Sequence, residues 1–194
     1  MTTTTPPAGQ LMLKNVRLAF PNLFEPKAIG TEPGAKPRFS AMLILPTDHP
    51  QLDQLRSAMV AVAKEKWGAK AAEVFKGLEK GDKLALHDGD TKAQYDGVAG
   101  NLFVQASSAE GSAPTVIDAN KSPLTARSGK PYAGCYVNAA ITVWAQDNNF
   151  GRRVNAQLRG IQFLRDGDAF GAGRAADSDE FDDVSEGTDA EEFA

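Results

Sequence analysis

Two runs of the chain carry, at alternate positions, side chains that can hold anions and stack on flat rings. Between Gly134 and Gln146, the residues Tyr136, Asn138, Thr142 and Trp144 fall on one side of an extended chain, with Cys135, Val137, Ala139, Ile141 and Val143 on the other. Between Arg152 and Leu164, Arg153, Asn155, Gln157 and Arg159 alternate in the same way with Val154, Ala156 and Leu158. Asp147, Asn148, Asn149 and Gly151 form a turn around Phe150, so the two runs read as a hairpin whose polar faces lie side by side. Guanidinium groups suit oxyanions, and indole and phenol rings offer π faces. An unpaired nucleic-acid strand calls for both, with each base stack contributing about 1–3 kcal/mol. The competing reading is that Tyr136 and Trp144 pack beneath a loop or a helix.

Weaker cationic clusters accompany this face. Lys121, Arg127 and Lys130 lie in the Pro- and Gly-broken segment NKSPLTARSGKPYAG with Tyr132 close behind, a candidate loop for closing over phosphates. Arg152 adds a charge beside the turn, and Lys36 and Arg38 flank Pro37 next to Phe39. Ordinary solvated surface charge would give the same patterns.

The elements that must position these groups follow from hydrophobic period and turn chemistry. Leu13 to Phe20 alternates, with Val16, Leu18 and Phe20 expected on the buried side. Glu25 to Pro37 carries three prolines and two glycines and is expected to be a loop. Arg38 to Leu45 is almost continuously apolar, the pattern of a central strand. Thr47-Asp48 offers a helix N-cap, with Pro50 in the first turn. Leu52, Leu55, Met59 and Val62 then recur at helical spacing until Gly68, and a shorter helix is expected over Ala69 to Phe75. Asn101 to Ala106 and Pro114 to Asp118 read as short strands, and Gly160 marks a phase change suited to a bulge. The sum is a mainly β protein: a small antiparallel barrel with one main helix.

Charge divides the chain. Residues 175–194 hold nine acidic side chains and no Lys or Arg. Of 21 basic and 25 acidic residues in all, this leaves 21 against 16, so residues 1–174 are net +5. A block of like charge is expected to be disordered and to act as an interaction arm. Here Asp179, Glu180, Phe181, Asp182 and Asp183, then Glu191, Glu192 and Phe193, set two aromatic rings among carboxylates that could imitate a polyanion. Residues 1–10 read as a flexible lead-in, 11–173 as one domain and 174–194 as the tail.

Other chemistries find little support. A single Cys135 and two histidines, His49 and His87, cannot make a structural zinc site of usual spacing. His87-Asp88-Gly89-Asp90, with Asp166 and Asp168, could be imagined as a nuclease metal loop, but carboxylates around glycine are usually turns. No phosphate-binding Gly-rich loop, nucleophile elbow or dinucleotide fingerprint is present, so no cofactor is expected. With no long apolar run and no signal-peptide pattern, a soluble cytoplasmic protein without a membrane partner is the default.

Longer motifs carry a resemblance. The run YAGCYVNAAITVWAQDNNFGRRVNAQLRGIQFLRDGDAFGAG resembles the C-terminal core of the single-stranded DNA-binding proteins of tailed bacteriophages. The LKNVRLAFPNLFEP strand, the helix after it and the VIDA element at Val116 to Ala119 extend the likeness over about residues 11–173. That resemblance implies a five-stranded Greek-key OB-fold barrel with insertions, which coats single strands in the cytoplasm of an infected bacterium during phage replication and recombination. It also implies an acidic tail that docks replication or recombination proteins, although Ala194 follows Phe193 where the family's tails end in phenylalanine. Strand annealing, or a structural role with a basic face on packaged duplex, would use the same residues.

Overall fold

The computed structural model describes residues 8–28 and 33–171. Among the described residues seven strands form one sheet, in the order β3 (Leu86–Asp88), β4 (Leu102–Ala109), β2 (Pro37–Leu45), β1 (Gln10–Ala28), β6 (Tyr136–Asn148), β7 (Gly151–Arg165), β5 (Thr115–Ile117), and a further pairing of β4 with β7 closes part of it into a barrel. The closed circuit is β1 (Gln10–Ala28), β2 (Pro37–Leu45), β4 (Leu102–Ala109), β7 (Gly151–Arg165) and β6 (Tyr136–Asn148). Its pairings are antiparallel except the parallel contact of β4 with β7, at Ala106↔Ala156 and Ser107↔Gln157. The expected five-strand barrel is therefore OB-like, with two three-residue strands added: β3 (Leu86–Asp88) on β4 and β5 (Thr115–Ile117) on β7.

Helix α1 (Leu52–Trp67) buries Leu55 and Met59 against the barrel, each worth about 1.5–3 kcal/mol of apolar burial, and Gly68 ends it at a φ of 54°. Its start departs from expectation: the N-cap is Gln51 and makes no side-chain cap, so Thr47-Asp48 does not open the helix. Gln51 instead reaches β1, donating from Nε2 to the Met12 carbonyl and accepting the Lys14 N–H at 2.7 Å. His49 donates from Nε2 to the Lys14 carbonyl and accepts the Gln51 N–H at Nδ1. Both residues serve docking of the helix. The second helix, α2, runs Ala71–Lys80, longer than expected.

Strand β1 differs most from its sequence reading. Val16 and Leu18 are fully buried as expected, but a break in register between Ala19 and Asn22 turns Phe20 outward, 48% exposed with a φ of 47°. The strand then continues through Glu25 to Ala28, pairing Lys27 with Arg38 and Ala28 with Pro37. Pro26 is tolerated because this arm pairs on one side only. The expected loop is thus strand at its two ends, Glu25–Ala28 and Pro37, while residues 33–36 are turn and coil.

The barrel interior holds Leu18, Leu43, Val104, Ile141, Leu158 and their neighbours. A second, smaller core lies outside β1, β2 and β4, where Ala19, Met42, Ile44 and Phe103 pack beneath Val98 and Phe170. This explains why β2 is buried on both faces. It also means that part of the sheet's outer surface is covered, and the part left open mixes polar and apolar side chains.

Candidate nucleic-acid interface

The open part of that surface is a groove of about 850 Å³. Asn22, Ser40, Met42, Gln105 and Ser107 floor it, from β1, β2 and β4. The far arm of the β6–β7 hairpin contributes Trp144, Gln146, Arg153 and Asn155; the β1–β2 arm contributes Lys27 and Arg38. Phe20, His87, Lys92 and Tyr95 also line it. Among the described residues, four cationic side chains therefore face the groove against one carboxylate, Asp82, and that carboxylate is already bound by His87 Nδ1 at 2.7 Å. His87 also stacks on Phe103, which Lys92 approaches at 5.3 Å from the ring centroid.

Register explains how one wall is built. Trp144 pairs with Asn155 and Gln146 with Arg153, so the four share one face of the arm. Asn155 donates to Gln146, and Gln146 donates to Asn148 and the Gly151 carbonyl, which stiffens the arm. Trp144 is 42% exposed, and neither its indole N–H nor the Arg153 guanidinium has a hydrogen-bond or ion-pair partner among the described residues. On the opposite face Asp147 accepts from Trp67 Nε1 at 2.8 Å and from Arg152 at 3.1 Å, pinning the arm to the end of α1. Those donors, Trp67 first, hold the Asp147 carboxyl below its ordinary value.

The remaining sequence candidates scatter. Arg38 lines the groove and donates to Ser107 across the floor, whereas Lys36 is exposed nearby and does not line it. Phe150 stands 90% exposed at the hairpin tip, and Arg152 sits on the arm's other face. Arg159 is the unpaired residue of the bulge before Gly160, where a Cβ on Gly160 would meet the Thr115 carbonyl of β5 at 3.1 Å.

Near the hairpin's base, Tyr136 is held between Arg165 and Arg17, at 3.5 and 5.6 Å from its ring centroid. Asn138 there donates to Gln162 and accepts the Asn15 N–H. Tyr132 is half-buried and its hydroxyl donates to Asp166 at 2.7 Å; burial first, then that carboxylate, raises its pKa. Lys130 pairs with Asp118 at 2.9 Å, lowering the Asp118 pKa, and lies over Phe163, while Lys121 and Arg127 are exposed on the loop between them. Asp179 to Asp183, Glu191, Glu192 and Phe193 lie outside the described residues.

The groove residues that escaped the sequence reading include Phe20, Lys27, Lys92 and Tyr95. Lys92 and Tyr95 share the turn-rich segment TKAQYDG, where a cation and an aromatic in a surface loop were the available signal. As for metal chemistry, no group of three or more His, Cys, Asp or Glu is placed to hold an ion among the described residues. Asp88 and Asp90 of the imagined metal loop instead accept the Asp90 and Gly100 N–H groups.

A barrel of this topology, with a cationic and aromatic groove between projecting hairpin arms, defines the class of OB-like binding proteins. Within that class, the family described by the single-stranded DNA-binding protein of Enterobacter phage Enc34 matches residues 9–194, and the chain belongs to it. The putative protein p50 of Acyrthosiphon pisum secondary endosymbiont phage 1 is 45% identical over 179 residues, 91% of this chain and 94% of that one. Among solved structures, the bacteriophage Enc34 single-stranded DNA-binding protein in complex with single-stranded DNA shares the fold with a TM-score of 0.68 at 24% identity, over 85% of this chain and 91% of that one. The bacteriophage T7 single-stranded DNA-binding protein gp2.5 is a more distant structural relative, with a TM-score of 0.50 at 11% identity over 80% and 91%.

Proposed function

We infer that this protein binds single-stranded DNA without sequence preference and without catalysis, protecting it during phage replication and recombination in the cytoplasm of the infected host. The observation that carries this reading is the groove itself, where exposed Trp144 and Arg153, without an ion-pair partner among the described residues, stand with Lys27, Arg38 and Lys92. Its cations neutralise phosphates, and its rings stack bases whatever their edges. Phe150 lengthens the stacking surface at the tip, and Lys36, Lys121, Arg127 and Arg159 add long-range attraction for the backbone. The acidic tail competes with DNA for the groove and docks partner proteins, since nine carboxylates tethered to one chain reach a high effective concentration.

The test is a titration of the full chain and of a chain lacking residues 175–194, with single-stranded and duplex DNA of equal length, across a salt series. Single strands are expected to bind more tightly, with a log–log salt slope of about −3 for four neutralised phosphates. Tail deletion is expected to tighten binding at fixed salt; unchanged or weaker affinity would remove the competitor role. Equal affinity for duplex would favour an assembly role instead.

A further inference from the structure

Phe20 is an aromatic residue in a conformation that bulky side chains avoid. Its φ of 47° falls in the left-handed region, and the break in register around it points the ring out of the barrel. Such strain persists where the surroundings impose it, and it clusters at ligand sites. There the ring meets Tyr95 edge-on, with centroids 4.9 Å apart at 81°, and both rings are about half exposed. Phe20 and Tyr95 line the main groove, and they also line a second cavity of about 270 Å³ behind them. Ala19, Gln94 and Phe170 supply much of its remaining wall. Phe170 is fixed by the Arg17 guanidinium, 4.3 Å from its centroid, and Gly97 lacks the Cβ that would strike its ring. Next to it, the Gly171 N–H donates to Asp96.

We propose that this cavity is a pocket for a single nucleobase, reached from the groove over the edge of the Phe20–Tyr95 pair, where one base of the bound strand leaves the stack. The proposal rests on the single-strand reading of the groove. Continuity favours a base over other occupants, because the same two rings border both spaces. Size agrees: the cavity falls just short of the roughly 300 Å³ at which pockets for drug-sized ligands begin. Apolar walls suit a ring's faces, and the Gln94 amide can donate to or accept from any base edge.

The test uses Phe20→Gly, Tyr95→Ala and Trp144→Ala in the full chain, with a labelled thymidine oligomer and a base-free deoxyribose-phosphate oligomer of equal length. Glycine accepts the φ of Phe20 without steric penalty, so Phe20→Gly removes the ring while keeping the fold, and Tyr95→Ala provides a second, loop-borne variant. Each is expected to weaken thymidine-oligomer binding on the order of 10-fold, with an unchanged salt slope, and to leave binding of the base-free oligomer at the parent's level. Parent-like affinity in both variants, with Trp144→Ala weakened, would overturn the pocket and leave the groove reading standing. An equal loss for the base-free oligomer would also overturn it, as would a gain in thymidine-oligomer affinity seen in the full chain and absent once residues 175–194 are removed, which would make the tail the occupant. A parent protein that binds neither oligomer would overturn both readings.

Discussion

The two ends of the β6–β7 hairpin use one set of residue types to opposite effect. At the base, Tyr136, Asn138, Gln162 and Arg165 satisfy one another and their neighbours, with Arg17 and Asn15 completing the set. At the far arm, Trp144 and Arg153 stand in the groove without protein partners among the described residues. An aromatic ring, a guanidinium and an amide therefore do not make a binding surface by composition. What separates a clasp from a site is whether the polar atoms and ring faces are already used. The base holds the 166–171 segment through Arg17, which donates to the Gly134 and Asp168 carbonyls, while the arm keeps its capacity for a ligand.

That contrast can be broken by paired substitutions. Trp144→Ala is expected to lose about 1–3 kcal/mol of affinity for a thymidine oligomer with little change in melting temperature. Tyr136→Ala is expected to do the reverse, lowering the melting temperature with affinity nearly intact. Calorimetry and anisotropy on the same samples decide, and the opposite pattern would reverse the assignment of the two ends.

A smaller effect separates the cations. Arg153→Ala and Arg38→Ala should each make the salt slope shallower by about 0.7, the single-strand value per phosphate. Arg165→Ala should leave the slope alone, because its guanidinium is engaged by Tyr136 and Asn15. A slope change in Arg165→Ala and none in Arg153→Ala would place the phosphates at the base.

The smallest effect concerns how the arm is held. Asp147 is depressed below its ordinary 3.8 mainly by the Trp67 N–H, so the clasp is fully formed above that pH and is lost as pH falls through the lower folded value. Trp67 emission, read in a Trp144→Phe background, should shift in that acid range. The shift should be absent in Asp147→Asn; its persistence there would mean that another group releases the arm.

Much of the arm was legible in the sequence because a period of two is a local signal. Val137 to Val143 and Val154 to Leu158 alternate without interruption, and Gly160 announces its bulge. The other wall was not legible. Phe20 continues an alternating apolar pattern and reads as core, yet a bulge set by tertiary packing turns it into the groove. Pro26 and Pro37 suggest a loop, but an arm paired on one side accommodates both. Strand β3 is too short to show a period, and Lys92 and Tyr95 acquire meaning only because the second core anchors their loop over the sheet. Tyr136 and Trp144 carry the same alternation; only the positions of Arg17 and Arg165 distinguish them.

The most direct measurement is the fluorescence of Trp144 during titration with a thymidine oligomer at fixed salt, comparing the parent with Trp144→Phe. A saturable quench in the parent that tracks binding by anisotropy and is absent from Trp144→Phe is the expected result. Binding by anisotropy with identical fluorescence traces in the two proteins would contradict the account, because the strand would then be held somewhere other than the groove.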